Sequence, residues 1–196
     1  MRQPVYLVRH GQSEWNVLRL TQGQTTSPRL TALGRDQAAA AAETVARDLG
    51  PELPGRLITS DLVRAVETAR IIGDRLGVAP EPDPRLREQH LGDLEGRSYE
   101  DSWQHAEQHD WSDPELPVAG GESVAQVRRR MVAILDELDP AVPTVLVSHG
   151  DAIRSAVAHL LGHSMTDAPW VEVANGSVAR YDGDLDWLEH RERVAR

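Results

Sequence analysis

The sequence contains no cysteine, no lysine and no phenylalanine. The first absence removes disulfides, thiolate nucleophiles and thiolate metal sites together, and fits a reducing compartment. With aromatics at only 4%, Leu, Val, Ile and Trp must fill the core. All 21 basic residues are Arg, which reads as composition bias rather than function. No run of about 20 apolar residues is present to span a membrane. The N-terminus enters an apolar stretch without the basic-then-apolar pattern of a signal peptide, so a cytoplasmic location is expected. Positive charge is also in deficit, with 31 acidic against 21 basic residues and a net charge of -10. That disfavours nucleic acid and anionic membrane as partners, because backbone-phosphate binding relies on a basic face. An Arg beside a His in such a chain points instead to one specific small anion.

What is present suits a single domain of 196 residues, without repeats or an interdomain linker. Val5 to Val8 reads as a buried strand that stops at Arg9-His10-Gly11, and Thr144 to Val147 reads as a second that stops at Ser148-His149-Gly150. Each delivers a His-Gly pair at its carboxyl end, where ligands bind in open α/β sheets. Between them, Gln12 to Asn16 reads as a short helix with its first amides aimed at His10, and Asn16 as a neutral donor reaching back. Gln22 to Pro28 is a polar loop. Thr31 caps a helix that runs to Leu49, with Ala38, Ala42 and Val45 at helical spacing, and Gly50-Pro51 stops it.

Leu57 to Thr59 is a strand leading into a helix capped by Ser60 or Asp61, with Leu62, Val66, Ala69 and Ile72 inward. Arg64 lies one turn inside that helix, a place where Arg is usually solvated. Pro80 to Pro84 reads as a connection, and residues 86–96 fit no simple period, which marks them as functional or strained. Residues 99–109 read as a polar helix, with Trp103 and Trp111 anchoring a lid or side lobe over residues 89–121. His105 and His109 flank Glu107 at metal-like spacing, but Ala106 stands where a zinc helix needs Glu beside its His, so the pair reads as a solvated face. Gly120-Gly121-Glu122-Ser123 opens an amphipathic helix with Val124, Val127, Met131, Leu135 and Leu138 on its stripe and Arg128 and Arg129 away from it. Ala152 to Leu161 is the helix after His149, and short strands follow at 170–174, 177–182 and 185–189, joined by Asn175-Gly176 and Asp182-Gly183 turns.

His10, His149, Glu88, Arg9 and Arg64 can be asked to act together. Two His and a Glu suit a metal in principle. A dication beside two guanidiniums would be repelled, whereas a phosphoryl group presents oxygens that Arg9, Arg64, Asn16 and His149 can hold while His10 attacks in line.

The stretches 7–16, 60–69, 86–88, 120–123 and 147–150 together resemble the histidine phosphatase superfamily, in its phosphoglycerate-mutase-like branch, collinearly from residue 5 to about 178. The resemblance implies a three-layer α/β/α sandwich around a central, mostly parallel mixed sheet. It implies phosphoryl transfer through a phosphohistidine, with His10 as nucleophile and Glu88 as general acid/base. Arg9, Arg64, Asn16 and His149 would hold the phosphate, and Gln22-Gly23 would close its side. Gly11 and Gly150 belong to the same motifs, and His90 would border the leaving group. No metal or cofactor is implied.

Mutases of this family carry, after the acid, a longer insertion with an Arg pair for a carboxylate. Between Gln89 and Gly121 this chain has only Arg97, and residues 86–96 look more like the phosphatase branch, including enzymes acting on glucosyl-3-phosphoglycerate. A second departure is Thr25 to Arg29, where many relatives have Asp before Leu-Thr. The expectation is a metal-independent phosphomonoesterase for small metabolites of the sugar phosphate or phosphoglycerate type. A cofactor-dependent phosphoglycerate mutase is the alternative, and a silent phospho-ligand binding module a third reading that the filled chemical positions disfavour. A homodimer is compatible with the sequence, which does not decide it.

Overall fold

The computed structural model describes residues 3–188. Its six-stranded sheet comprises β1 (Val5–Arg9), β2 (Arg56–Thr59), β3 (Pro80–Pro82), β4 (Thr144–Ser148), β5 (Val178–Tyr181) and β6 (Leu185–Leu188), in the order β3-β2-β4-β1-β5-β6. From β3 to β1 every pairing is parallel, and β5 and β6 add an antiparallel hairpin. The central strands are apolar at consecutive positions because both faces are covered. Tyr6, Val8, Val145 and Val147 pack with α2 (Ala32–Leu49) and α3 (Val63–Leu76). Val5, Leu7 and Leu146 pack with α5 (Val124–Asp136) and α6 (Gly150–Leu160). This is the expected three-layer α/β/α sandwich. Fully buried side chains such as Leu7 and Leu146 stabilise it by roughly 2 kcal/mol each. The remaining helices, α1 (Glu14–Leu18) and α4 (Tyr99–Gln108), bury no residue completely and lie at the end of the sheet that holds the histidines. Among the described residues no helix is long and apolar enough to cross a membrane.

Several local expectations are corrected. Two first-turn amides of α1 are engaged within the protein rather than aimed at His10, Glu14 N with Arg29 O and Asn16 N with Ser13 Oγ. Neither Ser60 nor Asp61 caps α3, whose N-cap is Leu62 without a side-chain bond. Ser60 is committed to His149, and Asp61 forms a bidentate pair with Arg87. On α3, Ala69 and Ile72 face inward and Leu62 is buried ahead of it as expected, but Val66 is only half-buried and the buried face also takes in Arg64, Ala65 and Thr68. Pro80–Pro82 is an edge strand, where a missing amide is tolerated.

Residues 170–174 are not a strand, because Arg154 takes the carbonyl of Val171 and Arg9 that of Val173. Of the predicted last strand, Glu189 lies outside the described residues. His105 and His109 are half-buried rather than solvated; the ring of His109 meets Trp111 edge-on at 4.5 Å.

Candidate active site

β1 and β4 run side by side in parallel with Arg9 opposite Ser148, and the next amide, His10 N, donates to Ser148 O at 3.0 Å. Identical strand geometry therefore carries His10 and His149 out of the same sheet end. Their ring centroids are 5.1 Å apart and tilted by 58°. Both rings are buried.

The Nδ1 of His10 lies 2.7 Å from Gly11 O. A carbonyl only accepts, so Nδ1 carries the proton and Nε2 keeps its lone pair. Burial, then the charges of Arg64 and Arg9, push the imidazole pKa well below its usual range, against the Gly11 hydrogen bond. His10 is thus a neutral imidazole in a positive setting. His149 differs. Its Nε2 lies 2.8 Å from Ser60 Oγ, an oxygen that also accepts from Leu62 N. Its Nδ1 is buried and unpartnered. Burial followed by Arg64 also lowers this pKa far below the ordinary value.

Arg64 is completely buried, contrary to the usual fate of a helix Arg. It donates to Thr25 O at 2.9 Å and to Gly23 O at 2.7 Å, and its Nε has no partner. Burial lowers its pKa to about 10, so it stays charged near neutrality. Arg9 donates to Val173 O, and its Nε too is buried without a partner. Both guanidiniums are oriented by carbonyls rather than neutralised by carboxylates, which leaves their charge for an anion.

Glu88 sits over the N-terminus of α6. Its Oε1 accepts from the amides of Gln89 at 2.9 Å and of Asp151 and Ala152 at 3.1 Å. Burial, then the Asp151 charge, raise its pKa, while those amides and Arg9 oppose the rise. A Cβ on Gly150 would stand 3.6 Å from Glu88 Oε2 and 3.8 Å from Arg9 Cζ, so this glycine lies between acid and arginine. Gly11 is needed for close approach: a Cβ there would lie 2.0 Å from Gly34 O.

The remaining expected residues lie further out. Gly23 lends its carbonyl to Arg64 with φ +48°, and Gln22 Oε1 accepts from Ser13 Oγ at 2.8 Å. Asn16 is held in a capping box with Ser13, and its Nδ2 donates to Tyr99 at 3.3 Å. It connects to the nucleophile through Asn175, whose Nδ2 donates to both Asn16 Oδ1 and His10 O. His90 is half-exposed, with Nε2 3.9 Å from Glu95 rather than among the buried cluster. Asn175 had been hidden in an Asn-Gly turn signal.

Arg130 was also missed, in a run of three arginines. It donates to the carbonyls of Arg85, Arg87 and Glu88 and pairs with Glu122. Among the described residues no group of three His, Cys, Asp or Glu is arranged to hold a metal ion.

Comparison with known proteins agrees with this geometry. Residues 5–190 match the family model described as histidine phosphatase superfamily (branch 1). A probable phosphoglycerate mutase GpmB of Yersinia enterocolitica is 40% identical over 94% of this chain and 87% of its own. The solved mycobacterial glucosyl-3-phosphoglycerate phosphatase superposes with a TM-score of 0.78 at 32% identity, covering 95% of this chain and 97% of that one. A structure from Thermus thermophilus gives 0.71 at 32% identity, with 95% and 99% coverage.

Proposed function

The chain belongs to the histidine phosphatase superfamily, and from that premise we propose that it is a metal-independent phosphomonoesterase acting on small phosphorylated metabolites through a phosphohistidine at His10. The observation that carries this reading is the locked tautomer of His10, with Nδ1–H on Gly11 O and Nε2 free, beside the charges of Arg64 and Arg9 and a second imidazole. In the first step Nε2 attacks phosphorus, the bond to the ester oxygen breaks, and Glu88 gives its proton to that oxygen. Arg9, Arg64 and His149 take the charge of the equatorial oxygens. In the second step Glu88, now a carboxylate, takes a proton from water. That water attacks the phosphohistidine, inorganic phosphate leaves, and neutral His10 is restored. The positive charge that a metal supplies elsewhere comes from the guanidiniums.

Hydrolysis is favoured over mutase activity because residues 89–121 carry a single Arg, Arg97, and it is exposed, where mutases of the family have an Arg pair for a carboxylate. That segment acts as a lid on the leaving-group side. The test is His10→Ala with a generic aryl phosphate. Hydrolysis is lost in the variant and unaffected by EDTA in the parent, and retained activity in the variant would refute the reading. From 3-phosphoglycerate, release of inorganic phosphate supports a phosphatase, whereas 2-phosphoglycerate would show a mutase.

A further inference from the structure

Beside Glu88 lies a cavity of about 550 Å³ between α4, α5, α6 and residues 165–170, in the size range of small-molecule sites. It starts one residue from the acid. Gln89 and Asp151, whose amides donate to Glu88, stand in its wall. The rest of the lining is dominated by apolar groups, among them Leu91, Leu94, Trp103, Trp111, Met165 and Trp170. The charged side chains on its border are engaged already. Arg154 pairs with Asp151 at 2.6 Å and lays its guanidinium 4.9 Å over the Trp170 ring, and Arg128 donates to His163 O. Trp103, Trp111 and Trp170 are 55%, 50% and 72% exposed, a concentration of large apolar surface that marks a binding site.

Resting on the phosphomonoesterase reading, we infer that this cavity takes the leaving group of the substrate, and that this group is bulky and apolar, about the size of one or two aromatic rings. A sugar or glycerate placed there would lose water from its hydroxyls against a mostly apolar wall, in which Ser155 Oγ is buried without a partner. An apolar group gains by the same transfer, and burying about 100 Å² of it is worth roughly 60-fold in affinity. The phosphate, held by Arg9, Arg64 and His149, fixes the ester oxygen near Glu88 and points the organic group into the cavity.

The experiment compares two primary alkyl esters of similar leaving-group basicity, 2-phenylethyl phosphate and glycerol 3-phosphate, with the full chain. The phenylethyl ester is expected to show roughly 30-fold higher kcat/KM. In the double variant Trp103→Ala with Trp170→Ala that ratio falls about tenfold. Calorimetric titration with 2-phenylethylphosphonate against methylphosphonate reads the same preference without turnover, and the larger ligand is expected to bind roughly 30-fold tighter. Equal or reversed preference, with both esters hydrolysed in a His10-dependent way, overturns this inference and leaves the phosphatase reading intact. No hydrolysis of either ester, with the phenylethylphosphonate still favoured, overturns the phosphatase reading but not the apolar subsite. No hydrolysis and equal phosphonate binding overturns both.

Discussion

At the phosphate end, His10, Arg64 and His149 are at most 2% exposed, and each is oriented by a backbone carbonyl or a buried hydroxyl. On the leaving-group side, three tryptophans are at least half exposed, on a short helix and irregular chain outside the sheet. The first region is built on the ends of β1, β4 and α3, elements that cannot shift without opening both core layers. The second is built on chain that contributes little to those layers. The difference separates two tasks. Chemistry needs donors fixed before the charge develops, and selectivity needs only a surface of suitable size and polarity.

The sharpest way to break that separation is to disable one region and ask whether the other notices. His10→Ala is expected to lower kcat/KM by at least ~10⁴-fold for every phosphate ester alike, as removal of a nucleophile does. The ranking of phosphonate ligands should stay as in the parent. If the variant instead reordered the ligands, the two regions would be one coupled site.

Glu88 stands on the border between the regions, and Glu88→Gln is expected to cost about 10³-fold in kcat for a primary alkyl ester. Its pH profile carries the sign. The His10 pKa is depressed, so lowering the pH from 7 toward 6 does not protonate the nucleophile. The Glu88 pKa is raised, so the acid form persists beyond the usual carboxylate range and activity falls as pH climbs through it. Activity is therefore expected to fall along an alkaline limb, and that limb disappears in Glu88→Gln. Using one ester for both proteins cancels the substrate's own ionisation near pH ~6. An alkaline limb that survives in the variant would assign it to another group.

The phosphate end was largely legible in the sequence because its residues stand at the ends of strongly apolar strands, where periodicity fixes direction. The leaving-group side was not. Residues 170–174 alternate like a strand, yet arginines from elsewhere claim their carbonyls, a competition that no local pattern carries. The face of α3 was read too narrowly for a related reason: hydropathy keeps Arg64 out of the core, whereas here it is buried with Ala65 and Thr68 beside the expected Ala69 and Ile72. Ser60 and Asp61 had the chemistry of caps but were recruited by His149 and Arg87. Asn175 looked like a turn residue because its contact with His10 spans 165 positions of the chain.

Arg130 offers the finest test of where one region ends. Its side chain is 14% exposed and touches neither the phosphate pocket nor the apolar cavity, yet it donates to Glu88 O at 2.9 Å while Gln24 donates to the same carbonyl at 3.0 Å. Burial alone would raise the Glu122 pKa, but hydrogen bonds from Arg130 and the His90 amide outweigh it and keep the partner charged. Arg130→Met keeps the bulk and removes these bonds, at a cost of about 3 kcal/mol in stability for breaking a buried pair. If Arg130 acts by placing Glu88, kcat falls about tenfold while methylphosphonate affinity holds, because phosphate is bound elsewhere. The decisive comparison is a double-mutant cycle: Arg130→Met added to Glu88→Gln should cost no further activity, since the group being placed is already disabled. Additive losses would mean that Arg130 supports the phosphate end generally, and the boundary between the two regions would then lie beyond Glu122.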